Sequence, residues 1–197
     1  MKGISQAMFV AVVTLTSIPA FAQNETKVWV EEQTMLSVTE GATTVLPSID
    51  MNVDHSFGYG LGMFAYGLAS PGFSELYAGP TYAPADWIQV GVAGGLQDTG
   101  DFRAGGFLWV GCPQAYAIFL AELNAAEEYW FRGIAAWKPV EAIGVGAFVQ
   151  RFAGVGPYLE ATIDSPVVPI TVWAAPTLVD WETSNGIKSL IGIRAHL

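Results

Sequence analysis

Asp54, His55 and Ser56 stand side by side in the chain, and carboxylate, imidazole and hydroxyl are the groups a nucleophilic hydrolase combines. They do not stand in a recognised hydrolase motif, and the other histidine, His196, has no such neighbours. Metal chemistry has no firmer footing. Histidines and cysteines are not clustered and the acids are scattered, so nothing matches the spacing of a metal site. The acidic stretches Asp98 to Asp101 and Glu127-Glu128 read as a solvated rim rather than a calcium site. Glycines recur at spacing two, which belongs to strands and not to a phosphate-binding loop. No catalytic residue, metal ligand or cofactor is therefore assigned. The single cysteine, Cys112, cannot form an internal disulfide and reads as inert.

What remains is a set of polar and charged side chains at alternate positions in segments whose other face is apolar. They are Gln33, Asp50, Asn52, Glu75, Gln89, Arg103, Glu122, Arg132, Gln150, Glu160, Lys188 and Arg194. Gathered on one inner wall, they could line a water-filled path and select ions by charge. Isolated charges in a low-dielectric wall cost several kcal/mol each, so they must be paired, hydrogen-bonded or wetted.

The elements that would gather them are strands. In the tail, Ile187, Ile191, Ile193, Ala195 and Leu197 share one face, with Lys188, Gly192, Arg194 and His196 on the other. The same alternation fits twelve stretches, roughly 27–37, 43–52, 57–67, 73–82, 87–96, 101–111, 115–123, 128–138, 140–151, 154–163, 167–179 and 186–197. Their connections are of two alternating kinds. Ala83 to Asp86, Cys112 to Gln114, Lys138-Pro139 and Asp164 to Pro166 are short and proline-bearing. Val38 to Gly41, Gln97 to Gly100, Asn124 to Glu127 and Asp180 to Gly186 are polar, glycine-bearing or acidic. An even strand count puts the first kind at one end, with both chain termini, and the second at the other. The run Asp54 to Ser56 falls in a turn on the terminal side.

Composition says what surrounds these strands. Hydrophobic residues make up 52% of the chain and charged ones only 13%, about half the charge of an ordinary soluble domain. Yet no unbroken apolar run of 18 residues follows the first 22; the nearest, Val167 to Val179, carries two prolines. With membrane helices excluded, a closed barrel is the structure that satisfies every backbone group inside a bilayer.

Residues 1–22 read as a secretory signal: Lys2 in a polar start, an apolar stretch around Met8 to Leu15, and Pro19-Ala20-Phe21-Ala22 before Gln23. Residues 23–197 then form one domain with seven bases, 18 acids and a formal charge of −11, which excludes nucleic acid as a partner.

The signal, the alternating strands and the terminal apolar ladder resemble those of bacterial outer-membrane β-barrel proteins of the small porin-like class. The resemblance implies an all-β, antiparallel up-and-down transmembrane barrel, with twelve strands and with ten or eight as alternatives. It also implies location in the outer membrane of a Gram-negative cell, contact with lipid and lipopolysaccharide, and assembly through the last strand by the barrel-assembly machinery. Members of the class usually end in an aromatic residue; here Leu197 takes that place, behind Ala195 and Ile193. Some members are lipid hydrolases or acyltransferases, but a turn on the periplasmic side is the wrong place for chemistry on the outer leaflet.

Within such a barrel Tyr66, Trp109, Trp130, Tyr158 and Trp173 face inward and narrow the lumen. Gly58, Gly60 and Gly62, Gly91, Ala93 and Gly95, and Gly144 and Gly146 make room on the same face. Tyr82, Trp137 and Tyr129 fall outward near the rims, where an aromatic girdle belongs. In Gly79-Pro80 and Gly156-Pro157 each proline falls outward and predicts a local distortion. The expected function is a narrow passive channel for small hydrophilic or cationic solutes. A plugged structural barrel, a lipid-modifying enzyme and a soluble lipocalin-like barrel with an apolar interior are the alternatives. The oligomeric state is not specified.

Overall fold

The computed structural model describes residues 25–39, 42–124, 128–177 and 187–197. The expected signal and most of the 124–127 and 180–186 connections lie outside them. Twelve strands follow one another: β1 (Glu25–Thr39), β2 (Ala42–Gly58), β3 (Leu61–Ser70), β4 (Phe73–Ala85), β5 (Ile88–Gln97), β6 (Phe102–Cys112), β7 (Ala115–Asn124), β8 (Tyr129–Val140), β9 (Ile143–Gln150), β10 (Gly154–Ile163), β11 (Ile170–Thr177) and β12 (Ile187–His196). Each pairs antiparallel with its neighbours in sequence, and β1 closes the ring against β12 from Trp29↔His196 to Val38↔Ile187. No sheet edge is left among the described strands, which is what a bilayer demands.

The outward register is apolar around the ring: Ile49, Val92, Leu96, Leu108, Ile143, Leu159 and Ile193 are all exposed. A soluble barrel of lipocalin type needs the reverse distribution, with charge outside and apolar residues within. The rims carry exposed aromatics, Trp87, Tyr82 and Trp137 at the end that holds both termini and Tyr129 at the other.

Several turns differ from expectation. β2 continues to Gly58, so Asp54-His55-Ser56 is strand and not turn. The reversal comes instead at three residues in the left-handed region, Gly58 (φ 86°), Tyr59 (φ 54°) and Gly60 (φ 75°), so Gly58 and Gly60 shape a turn rather than line a wall. Pro84 and Pro139 sit inside the ends of β4 and β8, where the register shifts between Tyr82 and Ala85 and between Trp137 and Val140. A bulge is where a strand tolerates a residue with no N–H. Proline reversals are also not confined to the terminal end, because Pro71-Gly72 (φ 79°) joins β3 to β4 at the opposite one. That pattern, proline then left-handed glycine, is the type II turn.

At the two Gly-Pro pairs the pairing lapses without a register shift. β4 resumes its contact with β5 at Thr81↔Gly91 in the same register as Ala78↔Gly94, and β10 meets β11 only from Leu159↔Ala174 onward.

Candidate functional site: the barrel interior

Alternation from Glu31 and Gln33, both buried, fixes the inner face of β1, and the register carries it around the ring: Gln33 lies opposite Ser48, Glu31 opposite Asp50 and Arg194, and Trp29 opposite Asn52 and His196. All twelve polar residues singled out in the sequence sit on this inner face, and the structure gathers most of them into clusters.

One cluster crosses the lumen. Arg132 on β8 donates through Nε to Gln150 Oε1 (2.6 Å) and through Nη2 to Gln33 Oε1 on β1 (2.7 Å), and Gln33 Nε2 donates in turn to Asp50 on β2 (3.2 Å). The guanidinium also lies over the rings of Trp130 and Phe148, 5.5 and 5.9 Å from their centroids. A second cluster ties β4 to β7: Arg103 donates to Gln97 Oε1 (2.9 Å) and lies 3.7 and 3.5 Å from the carboxylates of Glu75 and Glu122, and the Tyr77 hydroxyl donates to Glu122 (2.9 Å). Glu160 accepts from Tyr116 (2.9 Å) and Tyr158 (3.1 Å) and pairs with Lys138 (3.4 Å). Arg194 Nε donates to Glu31 at 2.6 Å. Gln89 donates to Asp54 at 2.9 Å, and Lys188 to the carbonyl of Phe152. Asn52 keeps a buried Oδ1 with no partner.

Six polar participants were absent from the inward residues read from the sequence: Glu31, Asp54, Tyr77, Gln97, Tyr116 and Lys138. Three were legible by spacing, since Glu31, Asp54 and Tyr77 each lie two residues from a chosen residue on the same face. Lys138 was hidden by reading Lys138-Pro139 as a turn.

Two features divide the interior. On the β8 to β12 side, Phe148, Tyr158 and Trp173 are almost wholly buried and pack ring against ring, with centroids 6.3 and 5.9 Å apart, over Ile134, Ala175 and Leu190. Glycines opposite them make the space: a Cβ on Gly192 would lie 2.4 Å from the Trp173 indole. The other side holds a cavity of about 760 Å³. Glu25, Lys27, Asp86 and Leu197 mark its mouth at the terminal end, and Asp50, Tyr66, Tyr77, Glu122 and Arg132 its deepest wall. Gln33, Glu75, Arg103 and Gln150, which bond to that deepest wall, lie beyond it. The two Arg-centred clusters therefore form a floor between the cavity and the far rim. Six acids and three bases line the cavity, a formal charge of −3.

The Asp-His-Ser run does not form a catalytic unit. Strand alternation turns Asp54 and Ser56 inward and His55 outward, where its Nδ1 meets the Thr26 hydroxyl at 2.7 Å. His196, inside, lies 3.4 Å from the Thr171 hydroxyl. Among the described residues no group of three His, Cys, Asp or Glu is placed to hold a metal.

No protein-family model matches the chain, and no curated protein matches it by sequence. Solved structures do match by shape. A KdgM porin superposes with a TM-score of 0.54 at 8% identity, over 85% of this chain and 98% of its own. The same porin in complex with disordered oligogalacturonate gives 0.55 at 9% identity over the same shares. A mutant porin of Rh. blastica aligns over 88% of this chain and 100% of its own, at 9% identity and a TM-score of 0.37. In fold, the chain is a closed twelve-stranded antiparallel barrel similar to that of a porin.

Proposed function

We propose that this barrel spans the outer membrane and passes small hydrophilic solutes through its interior by diffusion, with a modest preference for cations. The observation that carries the reading is the inversion of character across the wall. Apolar side chains face out all round, and a charged cavity of about 760 Å³ lies within. An apolar exterior suits hydrocarbon, and a polar, charged cavity is what a water-filled path for solutes requires. The Arg132 and Arg103 clusters make the path narrow. They act as a filter for solutes smaller than the cavity, and Gln33, Asp50, Asn52, Glu75, Gln89, Arg103, Glu122, Arg132, Gln150, Glu160, Lys188 and Arg194 line or border the route. Termini and the short turns after even strands face the periplasm in this reading. β12 is the segment offered to the assembly machinery, and lipid and lipopolysaccharide cover the outside.

The porin of similar shape has been captured with an oligogalacturonate, a polyanion. A cavity with a formal charge of −3 argues for a different solute here. The plugged alternative draws on the packing of Phe148, Tyr158 and Trp173, which fills the β8 to β12 side of the interior. No catalytic role is proposed, because the residues best suited to one are turned to opposite faces of β2.

Solute efflux from proteoliposomes tests the reading. Refolded protein should release small neutral sugars and small cations faster than anions of equal size. Correctly inserted protein that releases none of them would leave the plugged barrel.

A further inference from the structure

We infer that the cavity is a binding site for a linear aliphatic polyamine, a refinement that rests on the channel reading above. The cations that meet the cavity are engaged by other groups: Arg194 by Glu31, Arg132 by the amide oxygens of Gln33 and Gln150, and Lys27 by Glu25 at 3.4 Å. Asp50 and Asp54 have the neutral amides of Gln33 and Gln89 as partners, and among the described residues no ion pair is made by either. A carboxylate in this setting binds an ammonium group more strongly than it binds an amide.

Their spacing selects the shape of the ligand. Asp50, Asn52 and Asp54 occupy alternate positions on the inner face of β2, so the Cα atoms of the two aspartates are four residues of strand apart, about 13 Å, with Asn52 midway. The Asn52 Oδ1 is buried and accepts nothing. A single small cation reaches one carboxylate only. A chain with ammonium groups at both ends reaches both.

Aromatic walls flank the same row. Trp29 on β1 and Tyr66 on β3 are the two register partners of Asn52, and Lys27 on β1 and Phe64 on β3 are those of Asp54, with Lys27 paired to Glu25; the three rings line the cavity. Their faces attract ammonium groups and cover the intervening methylenes. A sugar's hydroxyls can donate to this row but bring no positive charge to its two carboxylates, whereas an ammonium group does both. An anion would meet two carboxylates first.

The test is titration calorimetry of the refolded barrel in detergent with spermidine as the probe, alongside butylamine and magnesium chloride. Saturable spermidine binding should be at least about tenfold tighter than butylamine, and Asp54→Asn and Asp50→Asn, confirmed as folded by their heat-modifiable gel mobility, should each weaken it about tenfold. Equal affinity in the folded variants, no binding at all, or displacement by equimolar magnesium would overturn the proposal. Potassium chloride conductance separates it from the channel reading. Current without spermidine binding overturns the polyamine site alone, and binding without current supports the site while overturning free passage.

Discussion

Arg132 and Gln33 are 99 residues apart in sequence and five strands apart around the ring, and their side chains meet across the lumen at 2.7 Å. That contact, with Arg132 also held by Gln150, is a strut between nearly opposite walls and the centre of the floor that ends the cavity. Replacing Arg132 with Ala removes two charge-assisted hydrogen bonds and should cost about 1.5–3 kcal/mol of stability. The barrel should still insert, and its unitary conductance should rise, read in the same membrane and salt as the parent.

Charge in the lumen should set ion preference. Arg132→Glu and Arg194→Glu should each raise the cation-to-anion permeability ratio, measured as reversal potential under a salt gradient. Arg194→Glu should also destabilise, by about 3 kcal/mol or more, since it leaves the buried Glu31 facing a like charge. Exchanging the pair, Glu31→Arg with Arg194→Glu, should recover much of that loss. An unchanged reversal potential in both single variants would remove these arginines from the conducting path.

The aromatic side of the interior is a packing element. Trp173 is 2% exposed, and Trp173→Ala should cost about 3–5 kcal/mol in urea unfolding of the membrane-inserted protein. Gly192→Val should be destabilising for the opposite reason, because a Cβ there already falls 2.4 Å from the indole; a cost of about 1–3 kcal/mol is expected.

Cys112 is exposed, and its even position on β6, beside inward Arg103 and Trp109, turns it to the outer surface. Labelling it with a small maleimide should leave conductance and ion preference unchanged, whereas a cysteine placed at Gln89 and labelled in the same way should reduce the current.

The strands were legible because a bilayer outside and a polar lumen inside impose a period of two, and β10 was placed at 154–163 from alternation alone. The β2 to β3 boundary was not. Asp54-His55-Ser56 has the composition of a turn, yet it is a strand whose inward residues are polar, and the reversal belongs to left-handed Gly58, Tyr59 and Gly60. Pro84 and Pro139 misled in the same way, since bulges carry them inside strand ends. Alternation assigned a face to each polar residue but no partner. The join between Arg132 and Gln33 depends on the diameter of the closed ring, and the packing of Trp173 depends on which glycines lie opposite it, neither of which a single strand records.

Single-channel recording of the refolded barrel in a planar bilayer, under a gradient of potassium chloride, tests the channel most directly. Discrete steps of small conductance with a cation-selective reversal potential are predicted. Folded, inserted protein that carries no current, in the parent and in Arg132→Ala alike, would contradict it.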